Sequence, residues 1–398
     1  MKKIFHNIHL WLAVPFGLII AVTCFTGALL VFEDEVTRSA RHDLYFVEQT
    51  ANETLPVDEL AARVAAVLPA NVSVTGVTVH ADPERTWQVN LSQPRHAAML
   101  VDPYTGEIKG MAEHTPFYAT VFRLHRWLLD NSVGAGGGLS VGKLLVGIST
   151  MMFVIVLISG IVIWAPRTVR ALKNSLKITL KRGWRTFWYG LHAAGGMYAM
   201  LFLLASALTG LTWSFTWYRT GFYKVFGVES AGQGQQNGQG RQNGQGQGNQ
   251  GGQGRGQGYG YGYGRIESEE PDGSRVSWQQ VCDALQQADP AWRQITVSDG
   301  EATVSHDRLG NRRAVDSYTF DPASGAILSV TPYRESGAGS RLSGWIYSVH
   351  TGSWGGVVTR VLTCLAALLG AALPLTGYYL WIRKMVVRRR NRKLVAGR

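Results

Sequence analysis

Residues 9–32 read HLWLAVPFGLIIAVTCFTGALLVF, an apolar run that contains no charged residue. A helix needs about 20 mostly apolar residues to cross the hydrocarbon core of a bilayer, which is about 30 Å thick. Three further apolar runs are long enough to do so, at 141–164, 188–217 and 357–382. The sequence therefore predicts an α-helical membrane protein with four transmembrane helices.

The first apolar run also has an alternative interpretation, as the cleaved signal peptide of an exported protein. Two lysines precede it, as basic residues precede a signal peptide. However, the run at 10–32 is longer than the apolar region of a signal peptide, and no Ala-x-Ala cleavage site follows before Glu33. We therefore interpret this run as a transmembrane helix.

The net charge of +12 is concentrated in segments that border the apolar runs. Two lysines precede the first run, seven Lys or Arg lie in 167–185, and eight lie in 383–398, with no acidic residue in these segments. Cytoplasmic loops of membrane proteins carry such an excess of basic residues. We therefore expect a bacterial inner-membrane protein with both termini in the cytoplasm and with 33–140 and 218–356 outside. The basic segments indicate topology rather than a nucleic-acid partner.

The two halves of the chain repeat one another. In the first run His9 is followed seventeen residues later by Thr26-Gly27, and in the third run His192 is followed seventeen residues later by Thr209-Gly210. Self-similarity at matching offsets is typical of duplicated structural units. We therefore expect two tandem repeats, each made of a span, an outer domain, a histidine and a second span.

The segments between the spans also match in pairs. Asp102-Pro103-Tyr104-Thr105-Gly106 corresponds to Asp321-Pro322-Ala323-Ser324-Gly325, and each reads as a turn between two strands. A short amphipathic helix is predicted upstream of each turn, at 57–68 and 277–288. The pattern predicts two small outer domains of the α+β class.

The predicted organisation runs along the whole chain. In order it comprises transmembrane helix 1 at 1–32; outer domain 1 at 33–118; an outer-face histidine segment with transmembrane helix 2 at 119–166; a basic cytoplasmic loop at 167–186; transmembrane helix 3 at 187–217; outer domain 2 at 218–340; a second outer-face histidine segment with transmembrane helix 4 at 341–382; and a basic cytoplasmic tail at 383–398. Outer domain 2 contains an insertion at 231–264 that consists almost entirely of Gly, Gln, Asn and Tyr. Because this composition cannot bury a core, we expect a disordered spacer there, with partner contact as the alternative role.

Topology sorts four histidines into two pairs. His9 and His192 begin spans that run outward, so both are expected near the cytoplasmic face, whereas His125 and His350 precede spans that run inward and are expected near the outer face. An ionisable residue at a membrane span is costly and points to a function. Each pair takes one imidazole from each repeat, as two axial ligands of one haem iron would. This pattern favours haem, which would be bound without covalent attachment because no Cys-x-x-Cys-His motif is present.

Other ligands and other histidines fit this pattern less well. Zinc takes three or four protein ligands, and neither level offers an acidic or thiolate companion to its histidines. His6 lies one turn before His9 but has no counterpart, because Tyr189 occupies the equivalent position. Three arginines near the outer level are candidates to pair with haem propionates: Arg123, Arg126 and Arg360. The remaining histidines are expected at the surface: His42, His80, His96, His114 and His306.

On these residues the sequence resembles the PepSY-associated transmembrane family, known also as iron-regulated membrane proteins. The resemblance is carried by Ile8-His9-Leu10-Trp11-Leu12, by Leu124-His125-Arg126-Trp127-Leu128, and by the Thr-Gly pairs and Asp-Pro turns quoted above. Members of this family include ferric-siderophore reductases of the bacterial inner membrane. The resemblance implies two periplasmic PepSY-like domains and an electron conduit of two b-type haems held by His9, His192, His125 and His350. This conduit takes electrons from a cytoplasmic or membrane donor and reduces a periplasmic ferric siderophore to release ferrous iron.

The same resemblance leaves a second function open. PepSY modules can bind peptides or restrain proteases, so a haem-free regulatory membrane protein would share the fold. A third function, transport of the iron complex itself, is disfavoured because the sequence predicts only four spans. Membrane lipid is expected to surround these spans. No nucleotide-binding fingerprint is present, so we expect a nicotinamide or flavin donor, if one is used, on a partner protein.

Overall fold

A computed structural model of the protein describes residues 2–48, 50, 53–94, 97–130, 140–166, 168–179, 181, 183–228 and 276–396. The insertion at 231–264 lies outside these residues. The α-helices are α1 (Lys2–Leu30), α2 (Glu33–Ala40), α3 (His42–Tyr45), α4 (Val57–Ala65), α5 (Pro116–Trp127), α6 (Val141–Trp164), α7 (Val169–Ser175), α8 (Trp184–Gly190), α9 (Gly196–Ser214), α10 (Thr216–Val225), α11 (Trp278–Ala288), α12 (Ala338–Thr351) and α13 (Gly356–Ala396). The strands are β1 (Val74–His80), β2 (Trp87–Leu91), β3 (Ala98–Val101), β4 (Ile108–Met111), β5 (Trp292–Ser298), β6 (Glu301–His306), β7 (Val315–Phe320) and β8 (Ile327–Thr331).

Four helical segments are long and apolar enough to cross a membrane: Lys2–Leu30, Val141–Trp164, Trp184–Ser214 and Ser353–Arg390. This number agrees with the four spans expected from the sequence. The second span also has its predicted bounds, because local signals mark both of its ends. The hydroxyl of Ser140 accepts a hydrogen bond from the Lys143 N–H at 3.1 Å and so caps the first turn, and Pro166 follows the last turn.

The third and fourth spans depart from their predicted bounds. The third span is interrupted by a π-helical turn at Leu191–Gly195 and ends at Ser214, where Phe215 takes an extended conformation. A π turn adds a single residue to a helix, so it leaves no clear signal in the apolar pattern. α13 continues to Ala396 instead of ending at residue 382, because the basic segment that follows is rich in good helix formers.

The long helices pack as a bundle in which α1 and α9 occupy opposite corners. α1 packs against α6 and α13, and α9 packs against the same two helices. Small residues let membrane helices approach closely, and Gly17 of α1 packs against Pro374 and Tyr378 of α13 in this way. The bundle core combines mostly small and apolar side chains: Ile20, Phe153, Leu157, Ala199, Leu203, Ala207 and Ala366. Side chains of α1 and α9 therefore face one another across the bundle interior.

The strands of the two outer segments form one continuous antiparallel sheet, an arrangement that the sequence did not predict. The strand order is β4-β3-β2-β1-β5-β6-β7-β8, so each half of the chain contributes four strands. The halves join through β1 and β5, where Val77 pairs with Val297. These two strands are far apart in the sequence, so no local pattern indicates that they pair.

The helices α4 and α11 also join the two halves. The carboxylate of Asp58 in α4 accepts backbone N–H bonds from Trp278 and Gln279 at the start of α11, at 2.9 and 3.0 Å. In return, the side-chain amide oxygen of Gln279 accepts the N–H of Val57 at 2.9 Å. The first N–H groups of a helix need acceptors from outside it, so each half caps a helix of the other. Beneath them lies the core of the sheet layer: Leu60, Val64, Val77, Val281, Leu285 and Val297.

The helices α5 and α12 lead from the sheet to the bundle. α5 follows β4 and packs against α1 and α6, whereas α12 follows β8 and packs against α9. Both helices end at a residue in the left-handed conformation, Leu128 with φ of 50° and Gly352 with φ of 73°. His125 and His350 lie in the last turns of these helices. The fold therefore places both imidazoles beside the C-terminal parts of α1 and α9.

Candidate functional site

The first candidate site lies between α1 and the π-helical turn that precedes α9. His9 is on α1, and His192 is the second residue of the π turn. Their ring centroids are 6.2 Å apart and their ring planes cross at 85°. His6, one turn before His9, is exposed. The structure therefore brings together the two histidines that the sequence pairs at the inner level, and it does so at a π turn, an element common at functional sites.

The second candidate site lies where α5 and α12 meet the bundle. The ring centroids of His125 and His350 are 6.3 Å apart, with an angle of 62° between the ring planes. The indole of Trp213 in α9, which sequence reasoning did not assign, lies 5.0 Å from the His350 ring. Gly27, which faces His125, is 18 residues after His9 on α1, about 27 Å along the helix axis. The two sites therefore lie at opposite ends of one bundle.

The separation within each pair fits two imidazoles on opposite sides of one metal ion. A bond from a metal to an imidazole nitrogen is about 2.0 Å, and that nitrogen is about 1.1 Å from the ring centre, so two such ligands in line have centroids about 6.2 Å apart. The observed separations are 6.2 and 6.3 Å. Two axial histidines on one iron are a closed arrangement suited to electron transfer. By this criterion, the residues of both sites fit a haem.

Each of the four imidazoles is held in the same way by the helix that it faces. Its Nδ1 lies near one backbone carbonyl oxygen and near one Ser or Thr hydroxyl three residues later on the same helix. The distances to carbonyl and hydroxyl are 3.1 and 3.1 Å for His9 (Val156, Ser159), 3.1 and 3.0 Å for His192 (Leu373, Thr376), 3.0 and 3.1 Å for His125 (Thr23, Thr26), and 2.9 and 3.3 Å for His350 (Ser206, Thr209). A carbonyl oxygen can only accept, so Nδ1–H is the donor and Nε2 carries the lone pair. Within the described part of the chain none of the four Nε2 atoms has a hydrogen-bond partner, which leaves each of them available to a metal ion.

A glycine follows each of these hydroxyl residues and lets the imidazole pack against the helix backbone. A β-carbon at the glycine would lie 3.0 Å from Cε1 of His350 at Gly210, 3.1 Å from that of His125 at Gly27, 3.3 Å from that of His192 at Gly377, and 3.5 Å from that of His9 at Gly160. We call each Ser/Thr-Gly pair, together with the carbonyl three residues before the hydroxyl, an imidazole cradle. The four cradles lie on the four helices of the bundle.

Two of the four cradles escaped the sequence analysis. Thr26-Gly27 and Thr209-Gly210 are markers of the repeat in the sequence, but Ser159-Gly160 and Thr376-Gly377 carry no assignment there. The sequence does contain a pattern that could have identified these two cradles, because each has a hydroxyl residue directly before a glycine in the second span of its half. The similarity between the two dipeptides is hard to see because one begins with Ser and the other with Thr, and because Pro374 lies two residues before Thr376.

The arginines expected near the outer level have different surroundings. The guanidinium of Arg360 forms an ion pair with Glu35, with one contact of 2.7 Å, so it joins α13 to the segment after α1. The guanidinium of Arg126 lies over the rings of Phe122 and Trp127, 5.5 and 5.1 Å from their centroids. Arg360 is therefore already paired with the carboxylate of Glu35, whereas Arg126 lies next to His125 in α5.

A third group of possible metal ligands lies in the sheet. His306 in β6 is only 6% exposed, and it lies 2.5 Å from a carboxylate oxygen of Asp289 and 3.6 Å from one of Asp316. The prediction that His306 is a surface residue is therefore wrong. The same prediction for His96 concerns a residue outside those that the structure describes. Over those residues, this is the sole set of three His, Cys, Asp or Glu close enough to share an ion. Among the described residues neither histidine pair has a third ligand of that kind, which disfavours zinc there.

Comparison with known proteins agrees with this architecture. A family model described as the PepSY-associated TM region matches residues 6–384. No curated protein matches the chain. The matched range contains both histidine pairs, all four imidazole cradles and every strand of the sheet.

Proposed function

The chain belongs to the PepSY-associated transmembrane family, and from that premise we propose that it is a haem-dependent ferric-siderophore reductase of the bacterial inner membrane. It carries electrons from a cytoplasmic or membrane donor to a ferric siderophore in the periplasm, where ferrous iron is released. The observation that supports the proposal is the pair of sites at opposite ends of one bundle, each with two imidazoles spaced as axial ligands of one iron.

The proposed orientation has His9 and His192 near the cytoplasm and the sheet in the periplasm. The ammonium of Lys2 donates to the carbonyl oxygens of Ile163 and Ala165 at 3.1 and 2.8 Å, so α1 begins beside the end of α6. A basic segment follows α6 and another forms the C-terminal part of α13, as expected of cytoplasmic ends. The two halves are tandem repeats, each contributing two spans, four strands and two of the paired histidines.

The four histidines would hold the two haems through Nε2. A haem bound by two imidazoles supplies a one-electron iron couple with no open coordination position. The Nδ1–H of each ring donates to its cradle, which keeps the ring neutral and oriented. Between the two sites the apolar core of the bundle excludes water and fixed charge. His9 and His192 thus serve the entry of electrons, and His125 and His350 serve their exit.

The substrate is ferric iron held by the hard oxygen donors of a siderophore. One electron delivered at the outer end converts this iron to the ferrous state. Because the Coulomb attraction of the oxygen donors falls with the charge of the ion, the chelate binds ferrous iron less tightly and releases it. No group on the protein needs to form a covalent bond with the siderophore.

Absorption spectroscopy of the purified protein tests this proposal. The reduced protein should show the spectrum of low-spin b-type haem, and a ferric siderophore added without oxygen should return the spectrum to the oxidised form. A ferrous chelator should trap the released iron in the same experiment. A colourless protein would instead support the haem-free, peptide-binding alternative, and a coloured protein that the ferric siderophore leaves reduced would contradict the reductase.

A further inference from the structure

We propose that the hydroxyls of Thr26, Ser159, Thr209 and Thr376 are positioning residues, which fix the tautomer and orientation of the four paired imidazoles and so set the reduction potential of the haem bound there. This inference rests on the proposed function for its haem. It goes beyond that function because it assigns a redox role to four side chains that are not the proposed haem ligands.

The hydroxyl hydrogens in the cradles are already engaged. Each hydroxyl donates to a backbone carbonyl of its own helix: Thr26 to Val22 at 2.8 Å, Ser159 to Val156 at 2.9 Å, Thr209 to Ala205 at 2.7 Å, and Thr376 to Leu373 at 2.8 Å. Such back-bonding is common for Ser and Thr within helices. Its consequence here is that the hydroxyl oxygen presents only its lone pairs to the imidazole.

Each Nδ1 therefore faces two acceptors, the carbonyl and the hydroxyl, and no donor. The proton must reside on Nδ1, and the lone pair must reside on Nε2, which points away from the cradle helix. Two acceptors spaced three residues apart along one helix also restrict rotation of the ring. The cradles thus present the imidazoles in the state that metal ligation requires, before any metal is bound.

The same hydrogen bonds affect the iron that the imidazole binds. An acceptor on Nδ1–H increases the basicity of Nε2, and a more basic ligand favours the ferric over the ferrous state. Removing one of two acceptors should therefore raise the midpoint potential of that haem. The hydroxyl contact is shortest at Thr376, 3.0 Å from His192, and longest at Thr209, 3.3 Å from His350, so Thr376 should contribute more.

A matched pair of Thr→Val substitutions tests the role of a cradle hydroxyl. Thr26→Val removes the hydroxyl that faces His125 and preserves the side-chain shape. Thr37→Val, in α2 and outside every cradle, removes a hydroxyl that is buried and makes no hydrogen bond within the described residues. Redox titration followed by absorbance, with electron paramagnetic resonance of the oxidised protein, should show a raised midpoint and changed g values for one of two haems in Thr26→Val. The expected change is up to about tenfold in the ratio of reduced to oxidised haem at fixed potential, which is 59 mV for a one-electron couple.

Two controls separate positioning from a structural effect. Thr26→Ser should restore the wild-type midpoint because it restores the acceptor, and Thr37→Val should match the wild type. The second span provides an independent copy of the test for His9: Ser159→Ala should shift the other haem, whereas Ser149→Ala, whose hydroxyl is buried without a described partner, should not.

The outcomes distinguish this inference from the proposed function. If Thr26→Val and Ser159→Ala keep both haems with the midpoints and g values of Thr37→Val and Ser149→Ala, the cradle hydroxyls do not position the ligands, and the proposed function stands. If the wild type binds no haem, or if a ferric siderophore leaves the reduced protein unchanged, the proposed function fails first.

Discussion

Gly210 and Gly160 occupy the same place in their imidazole cradles but leave different space for a side chain. An alanine β-carbon would lie 3.0 Å from Cε1 of His350 at residue 210, and 3.5 Å from Cε1 of His9 at residue 160. The first distance is shorter than an ordinary van der Waals contact, whereas the second is an ordinary contact. The ring of His350 would have to move, and that of His9 would not.

We therefore expect Gly210→Ala to lose, or convert to high spin, about half of the low-spin haem, because only one of two ligand pairs is disturbed. Gly160→Ala is the matched control, since it makes the same substitution in a membrane helix and should keep the wild-type spectrum. Absorption spectra of the two purified variants provide the measurement. Equal losses from both variants would show that the spacing between glycine and ring does not matter.

The ion pair between His114 and Glu33 lies outside the membrane spans and depends on pH. Nδ1 of His114 lies 2.5 Å from a carboxylate oxygen of Glu33, and the His114 side chain is 65% exposed. The hydrogen bond to Glu33 raises the pKa of His114 above its ordinary value, and partial burial acts in the opposite direction. A raised pKa means that the pair stabilises the fold fully below about pH 6.5 and that this contribution is lost as the pH rises through the raised pKa.

His114→Gln should therefore reduce the free energy of unfolding at about pH 5.5 and have no effect at about pH 9. The reduction should stay below about 1 kcal/mol, because an exposed ion pair is screened by solvent. Denaturant unfolding in detergent at the two pH values measures it, and added salt should shrink the difference. A destabilisation that grows with pH would mean that neutral His114 is the stabilising form.

At the scale of residues, the sequence was sufficient to pair the histidines but not to show what holds them. The shared offset of seventeen residues relates His9 to His192, and the structure brings these two rings together. The cradle hydroxyls could not be assigned in this way, because a Ser or Thr before a glycine is common in membrane helices. Only the contact between helices distant in the chain, such as Thr376 with His192, gives that dipeptide a role.

At the scale of elements, Asp58 connects the two halves of the sheet layer. Its carboxylate accepts from the hydroxyl of Ser277 and from the backbone N–H groups of Trp278 and Gln279, which makes it the cap of α11 although it belongs to α4. Helix caps contribute about 1 kcal/mol, with a range of roughly 0.5 to 2. Loss of this cap should loosen a helix in the opposite half of the chain.

Asp58→Ala should therefore destabilise the sheet layer by about 1 to 2 kcal/mol and speed hydrogen exchange at the amides of Trp278 and Gln279. Asp283→Ala is the control, because Asp283 is an exposed residue of α11 that bonds only the side-chain amide of Gln279 among the described contacts. Hydrogen exchange followed by mass spectrometry compares the two variants. Unchanged exchange at the start of α11 in Asp58→Ala would contradict the shared cap.

Sequence reasoning predicted an element correctly where residues at its own ends mark where it begins and ends. α6 has its predicted bounds because a serine cap and a proline mark its ends. The π turn at Leu191–Gly195 was not predicted, since one added residue barely changes an apolar pattern. The pairing of β1 with β5 was not predicted either, because strand partners distant in sequence are selected by packing and not by their own residues.

At the scale of the whole molecule, the two halves of the chain contribute equally to the sheet and to the bundle. Each half contributes four strands that meet its partner's at the sheet centre, and each half contributes one histidine to each pair. A ligand pair that draws on both halves exists only when the halves pack together. The function that we propose is therefore a property of the assembled bundle, since neither half contains a complete pair.

The haem content of paired histidine variants tests this account most directly. His192→Ala or His350→Ala alone should remove, or convert to high spin, about half of the low-spin haem, and His9→Ala combined with His192→Ala should cost little more than either alone, because two ligands of one iron act as a unit. His192→Ala combined with His350→Ala should remove nearly all of it. Full haem content in every single variant, or a wild-type protein that contains no haem, would contradict the account.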